Sequence, residues 1–292
     1  MKHTVRITVI LLAVFMASQV MGLLIIDRYI DHAALSDTGE VEFSELPYGI
    51  ERPPVEERYS SVYIVSAVLI GTLLLLMIIK WRKVLLWKIW YFLSVFITLG
   101  VAFAAFLDSR IALALAAIFG YIKVFRPNVA IHNLTEIFVY GGLAAIFVPI
   151  MNPMSAIVLL FLISIYDIYA VWKSKHMIKL AEFTSESNVF AGISIPYGKK
   201  TLKIGKIAKN KGRNALLGGG DIGFPLLFTG VIMKEIMKSS PQFGFLTALI
   251  IPVFCCLSLA ALFYFGEKNK FYPAMPFISA GCLAGYMVIS FI

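Results

Sequence analysis

Charge is scarce in this chain. Of 292 residues only 15% are charged, where a soluble domain carries roughly 25%; 60% are hydrophobic and the mean hydropathy is +0.85. That deficit excludes an ordinary soluble domain and leaves a polytopic membrane protein. Cysteine is nearly absent. Cys255, Cys256 and Cys282 lie inside apolar runs without C-x-x-C spacing, which excludes a disulfide framework or a thiolate metal centre and leaves small packing residues. Histidine is equally sparse: His3, His32, His132 and His176 form no H-E-x-x-H, so a zinc protease has no ligand set. No G-x-S-G precedes a usable histidine, which removes serine-protease chemistry, and no internal repeat favours an inverted-repeat transporter. The net charge of +9 reads as basic cytoplasmic loops, and no nucleic-acid partner is expected.

Long apolar runs are abundant. Nine segments are marked, at about 7–26, 62–79, 85–107, 111–122, 137–150, 156–172, 215–233, 243–265 and 272–292. A helix crosses the hydrocarbon core in about 20 residues, so the expectation is an all-α bundle of nine transmembrane helices forming one unit. The first run follows Lys2 and Arg6 and is long enough to be an uncleaved anchor instead of a signal peptide. Lysine and arginine gather in alternate connections, twenty against six, and put the N-terminus in the cytoplasm and the C-terminus outside. Residues 27–61 then form an external loop with nine acids and the pair Pro53-Pro54, expected to be solvated and mostly irregular. Residues 173–214 form a basic cytoplasmic loop, in which the alternation of Val189 to Tyr197 suits a strand.

Acids inside the spans are fewest of all. Asp108, Glu136, Glu235 and Glu267 read as helix ends, and only Asp167 and Asp221 fall within apolar runs. An aspartate in such a run costs about 2.5–3.5 kcal/mol on insertion scales, so it is paired, wet or functional. Asp167 lies six residues before Lys173, and Asp221 six residues after Ala215. On consecutive antiparallel helices the two carboxylates reach a similar depth. Two carboxylates that meet in a low-dielectric site share a proton, so one takes a proton from water while the other donates to a carbonyl. Catalysis is the first reading of the bare positions; a cation or proton path lined by the same two aspartates, or a purely structural hydrogen-bonding role, stands as an alternative. The glycines before Asp221 allow close backbone approach and a loosened helix start. No metal or cofactor is called for.

Three motifs then carry a resemblance. Gly218-Gly219-Gly220-Asp221 is similar to the G-x-G-D motif of the presenilin and signal peptide peptidase family, Tyr166-Asp167 to its Y-D, and Pro273-Ala274-Met275 to its P-A-L with Met for Leu. They stand in the family's order and the resemblance covers the whole chain; the small size resembles an archaeal homologue. It implies an intramembrane aspartyl protease that hydrolyses transmembrane helices of membrane-protein substrates, with Asp167 and Asp221 as the catalytic pair. Tyr166, Gly218, Gly220, Pro273, Ala274 and Met275 would border the site and position substrate. The implied partners are transmembrane-helix substrates and the lipid bilayer. A further expectation is that part of the 173–214 loop offers a strand edge to unwound substrate.

Overall fold

The computed structural model describes residues 5–81, 83–174, 189–197, 213–267 and 272–291. It is a helical bundle. The helices are α1 (Val5–Arg28), α2 (His32–Thr38), α3 (Ser60–Lys80), α4 (Val84–Ala104), α5 (Ser109–Phe125), α6 (Val129–Phe147), α7 (Pro153–Tyr169), α8 (Gly220–Ser239), α9 (Gly244–Ala248), α10 (Ile250–Phe265) and α11 (Met275–Ser290). Strands β1 (Gly192–Tyr197) and β2 (Arg213–Gly218) form a two-stranded antiparallel sheet. Among the described residues, six helical stretches are long and apolar enough to cross a membrane. The other three expected spans are helical too: α5 and α11 are shorter, and α8 carries Asp221, Lys234, Glu235 and Lys238.

Helix α8 is the hub. It is buried along almost its whole length and packs against α1, α6, α7, α9, α10 and α11. Lipid is as apolar as leucine, so helices associate through close fit at small residues more than through a hydrophobic drive. The bundle follows that rule. A methyl at Gly22 would overlap Leu226 of α8, one at Gly230 would press on Ile26 and Val148, and one at Gly281 would meet the backbone of α10. At Gly142 a methyl would come within 1.9 Å of the Thr98 carbonyl, so α4 and α6 touch backbone to backbone.

Several boundaries differ from the sequence expectation. The run expected as helix from 215 is strand up to Gly218, and α8 starts at Gly220. Ala215 and Leu217 are buried while Leu216 is exposed, an alternation with period two that two apolar neighbours in sequence had concealed. The expected span 243–265 is broken at Leu249, because Pro252 has no amide to donate to the Ala248 carbonyl. The expected 137–150 segment begins much earlier, where Asn128 caps α6 by accepting from the Ala130 amide at 2.8 Å.

The acidic segment 27–61 is more ordered than expected. Asp31 caps α2, Ile30 bridges Phe43, and the hydroxyls of Tyr29 and Tyr48 donate to the carbonyls of Val101 (2.8 Å) and Ser109 (2.7 Å). Burial pushes the Tyr29 phenol up to about 12, so it remains a donor at neutral pH. Lys234 of α8, expected in a solvated turn, is buried and donates to Glu57 (3.0 Å) and to the Met151 carbonyl (2.6 Å). Much of the basic loop, including Lys175, Lys179, Lys199 to Lys211, Glu182 and Glu186, lies outside the described residues, as do Lys2, His3, Lys268 and Lys270.

Gly142→Ala is expected to destabilise the bundle by about 1–3 kcal/mol through overpacking. A lower unfolding temperature of the detergent-solubilised variant is the measurement that checks it.

Candidate active site

Asp167 lies near the end of α7, and Asp221 in the first turn of α8; both side chains are half-buried. Helices α7, α8 and α11 pack against one another in pairs. The Asp167 carboxylate accepts from the Met275 amide at 3.1 Å, at the N-terminus of α11. A helix start leaves amides without partners inside the helix and carries partial positive charge, so a carboxylate satisfies both. Pro273-Ala274-Met275-Pro276 is suited to this. Pro276 has no amide of its own, and the bend at Ala274 aims the first free amides at α7. A second tie holds the same pair of helices together, with Ser164 and Ser279 hydroxyls 2.8 Å apart.

Asp221 is set by a change from strand to helix. Strand β2 ends at Gly218, Gly219 caps α8, and a methyl added at Gly218 would lie 3.2 Å from Asp221 Oδ2. A side chain at 218 would therefore crowd the carboxylate. Pro225, four residues on, cannot donate to the Asp221 carbonyl, so that rung does not lock the first turn. From α1, the buried Gln19 side chain donates to the Ile222 carbonyl at 2.9 Å. Gly220 faces Phe224, and the Tyr166 hydroxyl reaches toward Thr72 of α3 at 3.5 Å. The structure thus joins Asp167 with Ala274 and Met275, and Asp221 with Gly218, whereas Tyr166 points to a different helix.

A third intramembrane acid escaped the sequence reading. Glu136, expected at a helix end, lies inside α6 with 1% exposure, and Lys123, expected in a basic loop, is buried in α5. Lys123 Nζ donates to Glu136 Oε1 (2.7 Å) and Thr135 (2.9 Å), the Tyr140 hydroxyl donates to Glu136 Oε2, and Tyr91 of α4 approaches Oε1 at 3.4 Å. The same cluster holds the sheet. Tyr91 also lies 3.1 Å from the Phe190 carbonyl, His132 Nε2 is 2.8 Å from the Gly192 carbonyl, and Asn133 pairs with both backbone groups of Ser194 at 2.9 and 3.0 Å. His132, Glu136 and Tyr140 recur every four residues, a polar stripe on one helix face that was the available signal. Among the described residues, no group of three or more histidine, cysteine or acidic side chains is placed to hold a metal ion.

Removing one partner of a buried ion pair leaves an uncompensated charge. Lys123→Met is therefore expected to cost about 3–5 kcal/mol, and Lys123→Met with Glu136→Gln clearly less. Thermal unfolding of the single and double variants in detergent decides this; equal losses would contradict it.

The comparisons with known proteins agree with this architecture. The family model described as signal-peptide peptidase, presenilin aspartyl protease matches residues 11–292. Two crystal structures of a presenilin family intramembrane aspartate protease, in C222 and P2 space groups, share the fold with TM-scores of 0.60. The first is 17% identical and covers 95% of this chain and 94% of its own; the second is 18% identical and covers 96% of each. A search of curated protein sequences finds no match. Nothing in these comparisons supports a channel. The chain belongs to the signal-peptide peptidase and presenilin family of aspartyl proteases, and is a multi-pass membrane endopeptidase of the aspartic type.

Proposed function

We propose that Asp167 and Asp221 are the catalytic pair of this protease, and that it hydrolyses peptide bonds within the transmembrane helices of membrane-protein substrates. The observation that carries the reading is the seating of Asp167 on the start of α11, beside the packed helix whose first turn bears Asp221. One carboxylate, ionised, takes a proton from water as it attacks the scissile carbonyl. The other, protonated, donates to the carbonyl oxygen, and the pair shares the proton between turnovers. Ala274 and Met275 supply amides that hold Asp167, and Gly218 leaves room over the Asp221 carboxylate. Gly220 and Pro273 adjoin these residues in the chain and are assigned to the border of the same region, whereas Tyr166 turns to Thr72 of α3.

The lysine and arginine distribution supports a cytoplasmic N-terminus and an extracytoplasmic C-terminus. Substrates in that frame present their N-termini outside and are cut near the cytoplasmic side.

A helical substrate must unwind before water reaches a carbonyl, and the β1–β2 sheet supports strand addition as the means. The expected edge was Val189 to Tyr197, but there Asn133 holds both outward groups of Ser194 and His132 meets the Gly192 carbonyl. Pro196 has no amide to offer that side. The registry Ser194↔Leu216 turns the backbone groups of Leu216 outward on β2, five residues before Asp221. That edge, and not β1, is the one we assign to substrate.

Purified protein incubated with a single-span substrate tests the catalytic pair. Asp167→Ala and Asp221→Ala are each expected to abolish cleavage, and retained cleavage by either would remove that residue from the pair. The parent enzyme is expected to show a bell-shaped pH dependence of kcat/KM, since one carboxyl must be charged and the other neutral. Activity flat through the acidic range would contradict a shared proton. Leu216→Pro, which deletes one outward amide while leaving the β1 ladder intact, is expected to slow cleavage about tenfold. An unchanged rate and cleavage position would end the strand-addition reading.

A further inference from the structure

We infer that Tyr140 is a positioning residue for Asp221, acting through the backbone of Gly219. The inference rests on the reading of Asp221 as catalytic. Tyr140 lies on α6, buried, with its hydroxyl donated to Glu136. Its ring lies against the entry to α8. A methyl at Gly219 would sit 2.6 Å from the Tyr140 hydroxyl oxygen and 3.2 Å from its ring carbons, and one at Gly223 would sit 3.5 Å from the same ring. Gly219 and Gly223 are joined by a hydrogen bond of 2.8 Å from the Gly223 amide to the Gly219 carbonyl, and they flank Asp221 by two residues on each side. One aromatic face therefore spans the single turn that carries the carboxylate.

That face has little freedom. Rotation of Tyr140 would break its bond to Glu136, a buried carboxylate anchored by Lys123 of α5. Glu136 lies one turn from His132 and Asn133, which hold β1 on the same helix. The sheet leads into Asp221 from one side and Tyr140 supports it from the other, so α6 fixes both relative to one rigid element. A group that must be held in place for proton transfer gains from such support, because a misplacement of about 1 Å costs a large part of the rate. The second glycine of the Gly218-Gly219-Gly220 run is accounted for by this contact: no other residue leaves room for the Tyr140 hydroxyl.

The full-length protein in detergent micelles, with a single-span substrate over a range of concentrations, separates kcat from KM. Tyr140→Phe is expected to lower kcat about fivefold or more with KM within about twofold, since the turn moves while the substrate contacts remain. Gly219→Ala is expected to lower kcat more than about tenfold. The double variant Gly219→Ala, Tyr140→Phe is expected to cleave faster than Gly219→Ala alone, because loss of the hydroxyl relieves the 2.6 Å contact. A structural role alone would make the double variant the slowest of the three. If Tyr140→Phe does not fold, Tyr140→Met, which also lacks the hydroxyl, replaces it in both comparisons. A kcat for Tyr140→Phe within about twofold of the parent, or a double variant no faster than Gly219→Ala, overturns the inference. Asp221→Asn keeps the two ideas apart: cleavage by that variant removes the catalytic reading itself, whereas its inactivity beside a normal Tyr140→Phe removes only the role of Tyr140.

Discussion

The Glu136 carboxylate, buried in α6, is the junction on which the working half of the bundle depends. A charge without water must be met by opposite charge and hydrogen bonds, or it destabilises whatever contains it. Lys123, Tyr91 and Tyr140 meet this one from α5, α4 and α6. Two of those groups have a second duty: Tyr91 reaches the chain entering β1, and Tyr140 lies against the chain entering α8. Satisfying one acid thereby fixes how three helices, the sheet and the Asp221 turn stand to one another.

Asp167 is held by a different device. Its partner is the start of a helix, where amides are left over by the geometry of the α-helix itself. The two aspartates are thus supported independently, one through α11 and the other through α6, with α7 and α8 in contact between them. Neither support uses a flexible surface loop. Glycines let neighbours come close around the second of these supports, at Gly142 against the α4 backbone and at Gly219 against the Tyr140 side chain. In lipid, where apolar surface gives no preference for one neighbour over another, such contacts decide the packing.

The elements that sequence periodicity described well are those facing lipid or apolar neighbours. The cores of α1, α3 and α4 are continuous apolar runs, and their positions followed from length alone. The elements it described poorly are those whose polar residues are answered by something distant. The start of α6 reads as a loop because His132, Asn133 and Glu136 are polar, yet each is satisfied across the bundle or by the sheet. Strand β2 reads as helix because Ala215-Leu216-Leu217 is apolar, and only its pairing with β1 reveals the alternation. The acidic segment 27–61 reads as irregular because its anchors, Tyr29 and Tyr48, bind carbonyls far along the chain.

By itself the sequence determined that this is a helical membrane protein, that Asp167 and Asp221 stand in its apolar runs, and the three motifs that mark its family. Those are consequences of composition and local pattern: a bilayer admits few charges, and the exceptions are visible one residue at a time. The tertiary structure alone decided that Asp167 sits on the N-terminus of α11, that Asn133 and His132 hold the outward groups of β1, and that Lys123 and Glu136 form a buried pair beneath Tyr140. The reason is reach. A hydrogen bond between residues a hundred positions apart depends on which helices become neighbours, and no spacing along the chain encodes that choice.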